Sequence, residues 1–78
     1  MYCMEAEKQF DQAQRTCSRM WHAMRYARLN LRELRARRFV SREDLAEALT
    51  MIKDTRRKYF EALDQLYACE RTLRRCGC

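Results

Sequence analysis

The chain has 78 residues, 36% of them charged, and a formal net charge of +6. A chain of this length forms one domain, here predicted over residues 1–78, and no apolar run approaches the roughly 20 residues of a membrane-spanning helix. The positive charge favours an acidic protein or a nucleic acid as partner over a membrane, because acidic residues interleave with the basic ones.

The first half of the chain predicts one long amphipathic helix over about residues 4–37. Ten apolar or small residues recur at spacings of three and four, which places them on one face of a helix. Charged residues such as Glu5 and Lys8 interrupt the start of this segment, so we expect no signal peptide and a cytoplasmic protein. The ten positions are Cys3, Ala6, Phe10, Ala13, Cys17, Met20, Met24, Ala27, Leu31 and Leu34.

A turn is predicted at about residues 38–41. Ser41, followed three residues later by Asp44, has the pattern of a helix N-cap with an acidic residue in the first turn. Arg35 suits the negative end of the first helix dipole. The chain contains no proline, and its one glycine is Gly77, so neither residue type interrupts the two helices.

The second half repeats the pattern in a helix predicted over about residues 42–75. When the two sets of ten are laid antiparallel, each facing pair of residue numbers sums to 79, and large residues mostly meet small ones, as Leu31 meets Ala48. The sequence therefore predicts an all-α fold, an antiparallel two-helix hairpin closed along an alanine-rich heptad seam, and it leaves dimerisation into a four-helix bundle open. The seam positions of the second helix are Leu45, Ala48, Ile52, Thr55, Tyr59, Ala62, Leu66, Cys69, Leu73 and Cys76.

Further apolar residues are expected beside the seam, on one flank. With Phe10 at heptad position a, Trp21 falls at position e, and apolar residues of the second helix lie on the same side. The opposite flank is mostly polar, with residues such as Gln9, Thr16 and Gln65. The predicted lateral patch consists of Trp21, Leu49, Phe60, Leu63 and Tyr67.

Two interpretations of this patch are open: the aromatic residues thicken the hairpin's own core, or they form an interface with another helix. Chains of this size rarely gain more than about 3–5 kcal/mol from one core, and two helices have no third layer to cover Trp21 and Phe60. We therefore favour an interface with a protein partner or a second copy of the chain.

Positive charge is concentrated in the first helix. Residues 12–42 contain nine arginines and a single acid, Glu33. This region either is solvated and partly neutralised by Glu43, Glu47 and Asp54 across the hairpin, or contacts an acidic partner or a nucleic-acid backbone. Four of the arginines share one helix face beside the patch, called here the arginine face: Arg25, Arg28, Arg32 and Arg35.

The five cysteines do not form a disulfide framework typical of a secreted protein. The register places Cys3 opposite Cys76, so we predict a redox pair that mild oxidation can bridge and that is reduced in the cytosol. Cys17 and Cys69 are offset by about 10 Å along the axes, beyond disulfide reach, and are expected to be small buried seam residues. Cys3, Cys76 and Cys78 lack a fourth zinc ligand unless a second chain supplies it, so no metal site is predicted.

No motif in the sequence predicts catalysis. The chain has one histidine, His22, no glycine-rich phosphate-binding loop and no acid and base that would converge on a pocket. We therefore expect a non-enzymatic protein without a cofactor or a small-molecule substrate.

The layout over about residues 13–70 resembles that of small cytosolic co-chaperones of type III secretion needle subunits. These are short chains of two antiparallel helices whose lateral apolar face shelters a partner. The layout is also similar to that of the Rop family of plasmid RNA-binding proteins, helical hairpins that dimerise into four helices. The first resemblance implies an adaptor or co-chaperone that uses the lateral patch, and the second a dimer that binds RNA or DNA through the arginine face.

Overall fold

The computed structural model describes residues 3–77, which form two α-helices packed against each other as an antiparallel hairpin. Helix α1 covers Cys3–Ala36 and helix α2 covers Arg42–Gly77, so the ends lie within one or two residues of the predicted ones. The predicted all-helical hairpin is confirmed, whereas the single described chain does not show a dimer. The Cα atoms span 59 × 13 × 13 Å, so the molecule is a rod.

The core of the rod is the predicted seam. Every buried residue in the described part of the chain is a seam residue, and the other ten seam residues are half-buried. Half of the buried residues are alanines, whose small side chains allow the helices to approach closely. Ala27, level with Ile52, is the most deeply buried at 0% exposure. The buried residues are Ala6, Ala13, Cys17, Met24, Ala27, Leu31, Leu34, Ala48, Ala62 and Cys69.

The turn is closed by hydrogen bonds at both helix ends. The Asp44 backbone N–H donates to Ser41 Oγ at 3.0 Å, and the Leu45 N–H donates to the Ser41 carbonyl at 3.1 Å. Ser41 is therefore the N-cap of α2, a role that contributes about 1 kcal/mol. At the end of α1, the Arg37 N–H donates to the Leu34 carbonyl at 3.1 Å.

Apolar packing is densest next to this turn. Leu31, Leu34 and Ala48 form a buried cluster there. Partly buried side chains pack against the cluster from the connection and from α2, namely Val40, Leu45 and Ile52. Because Val40 belongs to the connection itself, the loop is held down by the core it closes.

A disulfide between Cys3 and Cys76 closes the opposite, open end of the rod. Their Cα atoms lie 5.6 Å apart, and the two residues are a facing pair of the seam, separated by 73 positions in the chain. Cys17 and Cys69 are buried and free. Cys78 lies outside the described residues, and residues 3–77 contain no group of three histidine, cysteine or acidic side chains arranged to hold a metal ion.

No helix within residues 3–77 is both long enough and apolar enough to cross a membrane.

Candidate interaction surface on one flank of the seam

Helical periodicity decides which side chains border each side of the seam. Positions e and b of the heptad lie on one side of it, and positions g and c on the other. The first side is called here the aromatic flank, because it contains Trp21, Phe60 and Tyr67. The second is called the polar flank and contains Gln9, Thr16 and Gln65, among others.

The large side chains of the aromatic flank are open to water. Trp21 is 39% exposed, Phe60 52% and Tyr67 51%, while Leu63 is half-buried. In the register of the seam, Trp21 is level with residue 58, so Trp21 and Phe60 lie only about 3 Å apart along the rod. Leu63 and Tyr67 follow Phe60 at intervals of about one helical turn. These four residues form one surface, the aromatic patch.

Leu49 is separate from the aromatic patch, although the sequence predicts one patch of five residues. It is level with residue 30, about 13 Å from Trp21 along the rod. Lys53 and Arg56 lie between these positions, and they line a shallow groove together with Leu49. Leu49, 46% exposed, is therefore separated from the aromatic patch by cations.

The arginine face is a continuous surface next to the aromatic patch. Its four side chains line one groove, together with Leu29 and Leu31. All four are exposed, and none forms a salt bridge with any residue of the range 3–77. The Arg25 guanidinium lies over the Trp21 ring at 5.4 Å from its centroid, a cation–π contact that joins the two surfaces. Leu29, 47% exposed, is an apolar member of this groove that the sequence interpretation missed.

The acids expected to neutralise the arginine face lie elsewhere. Glu47 lines a groove with Asn30 and Arg37 on the polar flank, and Asp54 lines another with Met51. Glu43, also exposed, falls at position f on the outer surface of α2. The arrangement therefore favours a solvated or partner-bound arginine face over an internally neutralised one.

Cations from α2 extend the positive charge of this flank. By heptad position, Arg42, Lys53 and Arg56 lie on the same flank in the half of the rod near the turn, and all three are exposed. No acidic residue lies on this half of the flank among the described residues. This basic zone contains Arg25, Arg28, Arg32, Arg35, Arg42, Lys53 and Arg56.

The other end of the same flank has the opposite charge. Glu7, Asp11 and Glu70 lie at positions e and b near the open end. Glu70 Oε1 accepts a hydrogen bond from Arg74, with 2.6 Å between the two atoms, whereas Glu7 and Asp11 form no salt bridge with a described residue. From the open end to the turn, the aromatic flank thus runs from this acidic zone through the aromatic patch to the basic zone.

The polar flank has a different chemistry. A groove on it is lined by Gln9, Gln12, Thr16 and Gln65, with seam side chains at its base. The Thr16 hydroxyl donates to the Gln12 carbonyl at 3.0 Å, and the Gln65 amide lies 3.8 Å from the sulfur of Cys69. This flank also carries two exposed apolar side chains, Tyr26 at position c and Met51 at position g, 68% and 43% exposed.

Comparison with known proteins gives no further assignment, since no protein-family model, curated protein or solved structure matches the chain. We therefore infer function from the surface chemistry of the hairpin itself.

Proposed function

We propose that this chain is a non-enzymatic interaction protein, an adaptor or co-chaperone, that binds a partner helix or a second copy of itself through the aromatic flank. One observation carries this proposal. Trp21, Phe60 and Tyr67 are 39 to 52% exposed side by side on one flank of a two-helix rod. Contiguous exposed apolar surface of this kind is typical of interaction sites.

The energetics of a two-helix rod also support an interface. Fully burying one large apolar side chain contributes about 1.5–3 kcal/mol, and the half-exposed side chains of the aromatic patch have about half of that still to gain. A partner helix laid along the patch supplies this burial. The neighbouring cations then orient the partner and raise its association rate in a salt-sensitive way.

We place this activity in the cytoplasm, where disulfides are rare and the Cys3–Cys76 pair is reduced. In that state we expect the seam and the Ser41 cap to hold the hairpin without the bridge. Burial of the aromatic flank then contributes a larger share of the total stability.

A second candidate function is RNA or DNA binding by a dimer through the arginine face. The observation that favours it is the groove of four exposed arginines, none of which forms a salt bridge with a described residue. Guanidinium groups bind phosphates in a bidentate manner, so such a surface suits a nucleic-acid backbone. Binding of this kind weakens steeply with added salt.

Site-specific photo-crosslinking tests the main proposal. Benzoylphenylalanine in place of Phe60 keeps an aromatic side chain on the aromatic flank, and the matched control places it at Tyr26, an exposed position on the other side. We expect irradiated protein, in cell extract or alone, to give adducts from position 60 and few from position 26. Equal adducts at both positions, or none at position 60, would contradict the proposal.

A further inference from the structure

We infer that the occupant of the aromatic flank is a second copy of this chain, docked antiparallel so that the turn of one copy lies beside the open end of the other. This inference rests on the proposed function and names its partner. Three independent features of the flank support it: the position of the aromatic patch, the order of charges and the separation of Leu49 from the patch.

The aromatic residues lie at the middle of the rod. The midpoint of α1 falls between Arg19 and Met20, and that of α2 between Tyr59 and Phe60. Trp21 and Phe60 therefore lie within about 2 Å of the midpoint along the axis. A two-fold axis that crosses the rod there brings the aromatic patches of two copies together. It also places α1 antiparallel to the other α1, and α2 antiparallel to the other α2.

The same axis pairs opposite charges between the two α1 helices, whereas between the two α2 helices it places Arg56 level with Leu63. In α1, Glu7 and Asp11 lie about 19 and 13 Å from the midpoint on the side of the open end. Arg32 and Arg28 lie about 19 and 13 Å from it on the side of the turn. In the antiparallel dimer each acid therefore faces an arginine of the other copy. A parallel dimer would instead stack one basic zone on the other, which is unfavourable because like charges repel.

The axis also gives Leu49 an apolar contact. Leu49 lies about 16 Å from the midpoint of α2 towards the turn, and Tyr67 about 11 Å from it in the other direction. In the antiparallel dimer these two side chains come within about 5 Å of each other along the axis, which is within reach of a tyrosine ring. Glu70 of the other copy lies directly level with Leu49, so the Tyr67 ring covers Leu49 from one side.

The size of the face is sufficient for a stable dimer. It is 59 Å long and 13 Å wide on Cα atoms. The area of a rectangle with these sides is close to the roughly 800 Å² that each partner contributes to a standard interface. Four antiparallel helices would then enclose the aromatic residues as the second core layer that a single hairpin lacks.

Charge reversal within the chain tests both the partner and its orientation. The first variant is E7R/D11R, and the second is R28E/R32E. Alone, each places like charges opposite each other, so we expect its dimer dissociation constant in sedimentation equilibrium to rise by about tenfold or more. Mixed, the two variants should form a heterodimer, and one chain with all four substitutions should dimerise like the wild type. The control R15E/E33R changes charges outside the flank and should have no effect.

Circular dichroism on each variant separates a loss of association from a loss of folding. If the wild type dimerises and none of the charge reversals changes the dissociation constant, the antiparallel arrangement would be overturned. If the wild type is a monomer and its position 60 crosslinks to another protein, the inference that a second copy occupies the flank would be overturned. The proposed function would remain intact. Dimerisation of W21S/F60S at wild-type strength would overturn the docking of a second copy on the aromatic flank. A monomer that only binds RNA in a salt-sensitive manner would overturn the proposed function as well.

Discussion

The two flanks of the seam border the same buried residues and are equally open to water in a single chain, yet they differ in kind. The polar flank has mainly glutamine and threonine side chains, with Tyr26 and Met51 as its large exposed apolar residues, and its charges are mixed, with Glu47 and Arg37 lining one groove. The aromatic flank has large apolar side chains at its centre, and apart from Arg74 near the open end its charges are sorted by sign along its length. The seam requires neither pattern. The difference is the basis for the proposal that a partner binds the aromatic flank.

This comparison depends on a fixed register, because a slip between the helices would separate Trp21 from Phe60. The Cys3–Cys76 bridge closes a loop of 73 positions, which in the chain-entropy model contributes about 4 kcal/mol. We expect C3S/C76S to lower the free energy of unfolding by an amount of this order, measured by urea denaturation against oxidised wild type. Its helicity and its self-association should persist. Loss of helical signal in this variant would mean that the seam alone does not hold the register.

An exchange of one residue between the flanks sharpens the comparison. Leu63 on the aromatic flank and Gln65 on the polar flank are two positions apart in α2. We expect L63Q to weaken association by about tenfold, because it places an amide in an apolar contact worth about 1.5 kcal/mol. Gln65→Leu should leave association unchanged. Equal effects of the two substitutions in sedimentation velocity would show that the flanks do not differ in function.

The smallest effect is expected from the arginine face. Changing Arg25, Arg28, Arg32 and Arg35 to Gln should lower the melting temperature only slightly, because none of the four has a salt bridge within the described chain and solvent-exposed pairs with Glu7 and Asp11 of the second copy contribute little to stability. The salt dependence of association should become shallower, since fewer charges act across the interface. If wild type binds RNA or DNA and this variant does not, the nucleic-acid candidate becomes the better function.

The sequence was sufficient to predict the seam and the turn. Spacings of three and four fix one face of each helix, and the pairing of residue numbers fixes the register that the Cys3–Cys76 bridge also requires. The hydrogen bond from Asp44 to Ser41 follows from a local pattern of cap residues. These features depend on short-range periodicity and on side-chain size, both of which can be determined from the sequence alone.

The grouping of residues on the aromatic flank was predicted less completely than the seam. A helical wheel projects residues along the axis, so it groups Leu49 with Trp21 although they lie about 13 Å apart along the rod. It also considers one helix at a time, so Arg56 of α2 was not grouped with the arginines of α1. The sequence did not predict Leu29 as a surface residue of this site, because position f faces away from the seam. In the structure Leu29 lines the same groove as the long arginine side chains on both sides of it.

Fluorescence of Trp21 tests the central claim most directly, since it is the only tryptophan of the chain and lies at the centre of the aromatic patch. At 39% exposure its ring is open to water in a single chain. We predict that its emission shifts to shorter wavelength and that quenching by acrylamide falls as protein concentration rises, and that both changes disappear in Phe60→Ser but not in Tyr26→Ser. A Trp21 that stays equally accessible to acrylamide at every concentration, while the protein dimerises, would contradict burial of the aromatic flank.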